Sequence, residues 1–147
     1  MESALESPHD NAWLGRSWSP FLSFHQVATR GFGPPHQPGL YRLRDANAQK
    51  LLLYIGEGTD IRMRMFQLRN AMNKVARGGP QGPPHWAGAC ILQHEQKGAS
   101  VEVSWLLDAV PDEGERKGLE CEYIAAHRKA TGVNPECQFI ALNRRKV

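Results

Sequence analysis

The chain has 147 residues, which suits one domain built around a single hydrophobic core. Hydrophobic residues make up 41% of the sequence and charged residues 22%, an ordinary composition for a soluble globular protein. No apolar run approaches the roughly 20 residues that a membrane-spanning helix needs. The net charge of +3 permits an acidic partner such as nucleic acid but does not demand one.

The N-terminal region is expected to have two parts. Residues 1–12 are polar and lack the apolar stretch of a secretory signal, so the sequence predicts a disordered tail on an intracellular, cytoplasmic protein. Residues 13–38 are expected to form an extension that packs on the core, partly as an edge strand. This extension holds too many large apolar side chains for a free tail, namely Trp13, Leu14, Trp18, Phe21, Leu22, Phe24 and Val27.

A β-hairpin is predicted after a loop rich in proline and glycine. Its parts are a strand over 40–44, a turn over 45–49 and a second strand over 50–55. The apolar run in the second strand is typical of a strand covered on both faces. Gly56 and Gly58 are expected to end it.

Helices and one further strand complete the predicted fold. Apolar residues at spacings of three and four indicate the first helix, with Thr59 or Asp60 as its cap, and Gly132 is a suitable end for the last. These elements are a helix over 61–76, a short helix over 85–95, a strand over 101–107 and a helix over 115–131. The order predicts an α+β fold, with a small antiparallel sheet of three strands covered by helices and a basic tail over 144–147.

Two charged side chains are predicted to face the core. Arg64 lies at the border of the apolar stripe of its helix, and Glu120 lies within about 40° of the apolar direction of the last helix, whereas Glu122 points away. A charge against a core needs a partner. The plain interpretations are an arginine whose stem covers apolar surface, and an Arg64–Glu120 ion pair. Tyr41 and Tyr54, on neighbouring strands, can equally be packing residues.

Together these residues form a recognisable set of motifs. The motifs are Gly39-Leu40-Tyr41, Tyr54-Ile55-Gly56, Arg64 ten residues after Tyr54, and Leu119-Glu120 followed by Tyr123-Ile124. Twelve residues separate the two tripeptides. In this order and spacing the motifs resemble the GIY-YIG nuclease superfamily, and the resemblance covers residues 39–143, the expected nuclease domain.

The resemblance implies a metal-dependent endonuclease that hydrolyses DNA phosphodiester bonds with one divalent ion, Mg²⁺ or Mn²⁺. It implies that Glu120 is the metal ligand and that Arg64 stabilises the scissile phosphate. Tyr41 would activate or position water, and Tyr54 would contact the phosphate or the nucleophile. Tyrosine is a poor base at its ordinary pKa of about 10, so nearby positive charge from Arg64 and the metal would have to assist it.

The sequence also departs from the superfamily pattern. A histidine or tyrosine is usual one turn after the arginine, where this chain has Leu68, and the usual serine or alanine is replaced by Gly58. His85 is a candidate auxiliary group for proton transfer. Asn134 and Asn143 are candidates for a late asparagine that supports the site in some members.

Basic residues suggest where a nucleic acid would bind. The candidates are Arg62, Arg69, Lys74 and Arg77 on the first long helix, Arg128 and Lys129 on the last, and Arg144, Arg145 and Lys146 at the end. With a nuclease site, contact with DNA phosphates is the better interpretation than a solvated face. Specificity would come from loops, a homodimer or a partner protein. The alternative function is a non-catalytic nucleic-acid-binding module on the same fold.

The three cysteines, Cys90, Cys121 and Cys137, are an odd number without a Cys-x-x-Cys pair. The sequence therefore favours free thiols in a reducing compartment. A zinc site built from Cys90, His94 and one further ligand is the alternative.

Overall fold

The computed structural model describes residues 6–30, 33–79, 86–107 and 111–139. The elements are a 3-10 helix Trp13–Gly15, β1 Leu22–Ser23, α1 Phe24–Arg30, β2 Gly39–Asp45, β3 Tyr54–Gly58, α2 Ile61–Ala76, α3 Trp86–Gln96, β4 Val101–Leu106 and α4 Glu113–Thr131. The strands form one antiparallel sheet in the order β1-β4-β2-β3. The predicted α+β class is therefore confirmed.

Within the described residues the sheet has four strands, so the predicted number of three is wrong. The additional strand is β1, which pairs with β4 at one edge of the sheet and places Leu22 opposite Val103. Two residues are too few for an alternation of apolar and polar side chains to show in a sequence. At the opposite edge, β2 is the only described strand that pairs with β3.

Side chains alternate across β2 and feed two separate cores. Tyr41 and Leu43 point to the first core, which lies under α1, α2 and α3, whereas Leu40 points to the second core, under α4. The second core also contains Trp13 and Trp18 from the N-terminal extension. The helices thus cover both faces of the sheet.

The second strand of the hairpin begins and ends later than predicted. It spans 54–58 rather than 50–55, and Gly56 and Gly58 lie inside it instead of ending it. The apolar run before it is buried without being a strand, because Leu52 packs into the second core and Leu53 into the first. The apolar run is therefore buried on both faces of the sheet, as predicted, but it forms an irregular segment and not a strand.

The predicted helices are present with small shifts. α2 has the predicted bounds, and the Asp60 side chain caps it by accepting a hydrogen bond from the backbone N–H of Met63. α4 begins two residues before the predicted 115 and ends at Gly132, whose φ of 87° is the left-handed cap that glycine favours. α1 was not predicted, although Val27 and Ala28 follow Phe24 at helical spacing and all three are buried.

The described part of the N-terminal tail, residues 6–12, lies on the core, so the prediction of disorder is wrong there. Arg42 on β2 is fully buried, and its guanidinium donates a hydrogen bond to the carbonyl oxygen of Asp10 at 2.9 Å. The same group lies over the ring of Trp18, 4.5 Å from its centroid. Burial lowers the pKa of Arg42 to about 9. The buried guanidinium of Arg42, through its carbonyl and aromatic partners, thus holds residues 6–12 against the core.

Two of the three cysteines are not free thiols. Cys90 on α3 and Cys137 after α4 form a disulfide, although 47 residues separate them in sequence, whereas Cys121 is an exposed free thiol. The prediction of three free thiols is therefore wrong for this pair. Sequence spacing gave no indication of it, because only the packing of α3 against the C-terminal segment brings the two residues together. In the described ranges, no helix is long and apolar enough to cross a membrane.

Candidate active site

The four residues singled out in the sequence lie around one edge of the sheet, where β3 meets α2 and α4. Tyr41 is on β2 and Tyr54 begins β3, and their ring centroids lie 6.0 Å apart. Arg64 is in the first turn of α2 and Glu120 lies in α4. Each tyrosine interacts electrostatically with both Arg64 and Glu120, and these two also interact with each other. The fold therefore brings all four together.

Gly56 makes room for Tyr41. The two residues are opposite each other in the β2–β3 ladder, and the tyrosine ring lies over the glycine. A Cβ at position 56 would lie 2.5 Å from both Cζ and Oη of Tyr41, much closer than atoms can approach. Glycine is therefore needed here for close approach and not to end a strand.

Arg64 is a half-buried arginine with an open guanidinium. Among the residues that the structure describes, none forms a hydrogen bond or an ion pair with it. Gly58 lies beneath it, since a Cβ there would be 3.4 Å from Nε and 3.7 Å from Nη2. A guanidinium held beside a strand without an anionic partner is available to an anion from outside.

Glu120 is half-buried and Glu122 is exposed, as the helix geometry predicts. Burial raises the pKa of Glu120 to about 7, and the nearby charge of Glu57 adds to the rise. Arg64, Lys117 and a hydrogen bond from the Glu57 backbone oppose it. Within the described ranges, no ion pair joins Arg64 to Glu120, so the alternative of a simple core pair between them is not what the structure contains.

A second pair of charges, Glu57 and Arg116, was missed by the sequence analysis. Arg116 is only 1% exposed, and its Nε donates to the Glu57 carboxylate at 3.1 Å and a further nitrogen to the carbonyl of Pro111. Arg116 precedes Glu120 by four residues on α4, a spacing that places two side chains on the same face. This four-residue spacing from Glu120 was the signal in the sequence that could have identified Arg116. The pair holds Glu57, and with it β3, against α4.

Both tyrosines are neutral phenols in this environment. Burial raises the pKa of Tyr41 well above its ordinary value and raises that of Tyr54, and the charge of Arg64 opposes the rise in both without overcoming it. A hydrogen bond with Tyr41 also lowers the pKa of Tyr54. The expected assistance from Arg64 thus exists but is weaker than desolvation. The tyrosines are suited to donating hydrogen bonds more than to accepting protons.

A side-chain amide that the sequence analysis did not single out, that of Gln138, lies beside Tyr54. The Gln138 side chain is buried and pairs with both the N–H and the C=O of Ile55, at 2.9 and 2.8 Å. It thereby caps the free edge of β3 next to Tyr54. Asn134 instead accepts two hydrogen bonds from Arg128, and Asn143 lies outside the described residues.

The candidate DNA-binding residues do not share one face. Arg62 is half-buried and donates to the carbonyl of Pro34 at 2.9 Å, and the buried Nε of Arg69 finds no hydrogen-bond partner among the described residues. The remaining four, Lys74, Arg77, Arg128 and Lys129, are exposed. Lys74 is on α2 and Arg77 directly follows it, whereas Arg128 and Lys129 are on α4, and the two helices cover opposite faces of the sheet. His85, Arg144, Arg145 and Lys146 lie outside the described residues.

Glu120 offers one half-buried carboxylate, which is the kind of ligand that a hard divalent ion takes. Magnesium is usually held by one or two carboxylates, water and substrate phosphate oxygens, and a partly desolvated carboxylate gains from a nearby cation. In the portion of the chain that the structure describes, three or more metal-binding side chains converge only at Cys90, His94 and Cys137, none of which belongs to this set of four. Comparison of the chain with known protein families, curated proteins and solved structures finds no match.

Proposed function

We propose that this protein is a metal-dependent endonuclease that hydrolyses DNA phosphodiester bonds. The observation that carries the proposal is the open guanidinium of Arg64, which shares one edge of the sheet with a half-buried carboxylate and two neutral phenols. The resemblance of the motifs to the GIY-YIG superfamily supports the same reaction.

Arg64 is suited to a phosphodiester. This substrate carries one negative charge and gains more as water attacks phosphorus, and a planar guanidinium can donate two parallel hydrogen bonds to its oxygens. Because the Arg64 side chain forms no hydrogen bond or ion pair with any described residue, binding the phosphate breaks no such contact. Its half-burial keeps competing water away and strengthens the interaction.

The tyrosines are assigned to positioning. The attacking water loses a proton to solvent while its oxygen bonds to phosphorus, and the departing ester oxygen takes a proton from solvent as its P–O bond breaks. A neutral phenol can orient that water or donate a hydrogen bond to a phosphate oxygen, and its high pKa makes it a poor base. We assign the water to Tyr41 and the phosphate to Tyr54.

Glu120 is the residue that would hold the metal. When bound, Mg²⁺ or Mn²⁺ supplies positive charge beside the phosphate and acidifies water. Glu57 adds negative charge at the same place, but its carboxylate is already paired with Arg116. Glu120 is therefore the carboxylate left for the ion.

The test is cleavage of supercoiled plasmid by the purified chain. We expect conversion to nicked or linear DNA with Mg²⁺ or Mn²⁺ and none with EDTA. Glu120→Gln retains the shape but weakens ligation of a hard ion, so it should abolish cutting while DNA binding, followed by gel shift, stays nearly intact. Glu122→Gln is the matched control, because a two-residue step turns a helical side chain by about 200°.

Two results would remove the proposal. One is the absence of cutting with every divalent ion on plasmid, branched and damaged DNA; a gel shift without cutting would then favour a non-catalytic binding module. The other is an inactive Glu122→Gln beside an active Glu120→Gln, which would move the site to another face of α4.

A further inference from the structure

Apart from the proposed nuclease site, a second group of side chains has the composition of a metal centre. Cys90 and His94 lie on α3, and Cys137 follows α4. Their ligand atoms all lie within 4.8 Å of one another. Glu136 lies beside the group, with its carboxylate 3.3 Å from Nε2 of His94. Two thiol sulfurs, an imidazole and a carboxylate are all established zinc ligands.

The backbone positions these residues independently of the disulfide. Cys90 and His94 are four residues apart on α3, which places both side chains on the same face of the helix. The backbone N–H groups of Glu136 and Cys137 donate to the carbonyls of Leu52 and Leu53, at 3.1 and 2.7 Å. The ligands of both segments would therefore stay close to one another after the S–S bond is broken.

The distances suit zinc with a small adjustment. Bonds of about 2.3 Å to sulfur and about 2.0 Å to nitrogen in a tetrahedral site place ligand atoms roughly 3.3–3.8 Å apart. The present limit of 4.8 Å, which applies to Cys90, His94 and Cys137, is about 1 Å larger. Cys137 is buried, Cys90 and His94 are half-buried and Glu136 is exposed, so the protein would shield three of the four ligands from water.

We propose that this group is a redox-dependent zinc site, in which Cys90, His94, Cys137 and Glu136 bind Zn²⁺ when the thiols are reduced. On binding, the two thiols lose their protons and coordinate as thiolates. The disulfide is the oxidised, metal-free form of the same site. This site is distinct from the one proposed for DNA cleavage, and its test does not depend on that activity.

The oxidation is a thiol–disulfide exchange with a small-molecule disulfide. The two thiolates of the protein give up two electrons and form one S–S bond, and the ion is released. The S–S bond of the oxidant accepts the two electrons and breaks, and its two thiolates take up two protons in water to become thiols. Excess dithiol reverses the exchange.

The site would hold the C-terminal segment in place. Gln138 is adjacent to Cys137 and caps the edge of β3 beside Tyr54. Either zinc or the disulfide would link that segment to α3. Only the reduced, metal-free protein lacks the link, so we expect that form to have the lowest melting temperature of the three.

The test uses the full chain, reduced with a phosphine, stripped of metal and kept without oxygen. We expect about one Zn²⁺ per chain, and with Co²⁺ the visible bands of a tetrahedral thiolate site. Cys90→Ser, Cys137→Ser and His94→Ala should each weaken zinc binding at least about tenfold, the lower end of losses seen when only an outer partner of a metal ligand is changed. Cys121→Ser, at the exposed free thiol, is the matched control.

A second measurement needs no variant. Zinc should protect Cys90 and Cys137 from alkylation while Cys121 is labelled, as peptide mass spectrometry can show. The proposal is overturned if the reduced chain binds no stoichiometric zinc, if zinc protects Cys121 instead, or if the oxidised chain binds zinc as tightly as the reduced one. An unchanged affinity in Glu136→Gln would overturn the assignment of the fourth ligand.

Discussion

Arg64 illustrates how far a single residue can be interpreted from a sequence. Its position at the border of the apolar stripe predicts half-burial correctly, because helical periodicity fixes the direction of a side chain. Periodicity does not show whether the guanidinium has a partner. That depends on α4, which is distant in sequence and whose Arg116 pairs with the carboxylate of Glu57 on β3, so this carboxylate is not the partner of Arg64.

We predict that Arg64→Ala reduces DNA cleavage by about 10²–10³-fold, as loss of one group that stabilises transition-state charge typically does. Binding should fall much less, because exposed basic residues remain on both long helices. Cleavage rates at saturating protein and a separate binding titration distinguish the two effects. Arg77→Ala removes an exposed cation from the end of the same helix and is the control. Equal losses of binding and cleavage in Arg64→Ala would make it an affinity residue only.

We predict that Glu120→Gln stabilises the metal-free protein at pH 8. The pKa of Glu120 is raised to about 7 in the folded state, above its ordinary value of 4.5. The contribution of the protonated Glu120 carboxyl to folding stability is therefore complete below about pH 4.5 and is lost as the pH rises through 7. At pH 8 the variant should gain about 1 kcal/mol, after allowing for screening of a half-buried group, or about 2–4 °C in melting temperature.

Thermal melts in EDTA at pH 8 and pH 5 test this, with Glu122→Gln alongside. The gain should be present at pH 8 and small at pH 5, where the carboxyl of Glu120 is largely protonated. A gain of equal size at both pH values would show that desolvation of the charge is not its cause.

At the scale of elements, the sequence predicts helices better than strands. α2 was correct to the residue because its apolar stripe, its cap and its glycine stop all agree. β3 was displaced because Leu51, Leu52 and Leu53 outweighed the glycines that follow them. The need for Gly56 comes from Tyr41 on the partner strand, and pairing between strands is invisible to a local pattern. β1 and α1 were too short to give a clear signal.

We predict that Gly56→Ala lowers cleavage at least about tenfold and costs about 1–3 kcal/mol of folding free energy, as overpacking of a filled core does. The added Cβ would lie 2.5 Å from two atoms of Tyr41, so this ring must move. Gly118→Ala is a matched control, since a Cβ there meets nothing within 4 Å and helix propensity favours alanine. Cleavage rates and chemical denaturation of both variants are the measurements. Wild-type cleavage by Gly56→Ala would show that Tyr41 need not be held where it is.

At the scale of the molecule, hydrogen bonds of buried polar residues link segments whose contact cannot be predicted from hydrophobic patterns. Tyr123 of α4 donates to the carbonyl of Trp13 at 2.9 Å and accepts from the indole of Trp18. His127 accepts from the backbone N–H of Leu52 at 3.0 Å through Nε2, so its Nδ1 carries the proton and donates to the carbonyl of Val133. The sequence predicted that Tyr123 and His127 face inward, but hydrogen bonds over such separations follow only from the assembled fold.

We predict that His127 makes folding sensitive to mild acid. Burial is the main cause that lowers its pKa below 6.5; the nearby charge of His9 adds to this, and hydrogen bonding to Val133 and the charge of Glu136 oppose it. Because the folded state releases the proton more readily than the unfolded state, the neutral form contributes stability above pH 6.5. This contribution is lost as the pH falls toward the lowered pKa, and each tenfold loss of proton affinity on folding corresponds to about 1.4 kcal/mol of folding free energy.

Urea denaturation of wild type and His127→Gln between pH 8 and 5 isolates the contribution, because titrations of Glu120 and His9 are common to both proteins. The wild type should lose its advantage over the variant as the pH falls through 6.5. A difference that stays constant, or grows in acid, would mean that His127 does not have to be neutral to hold Leu52.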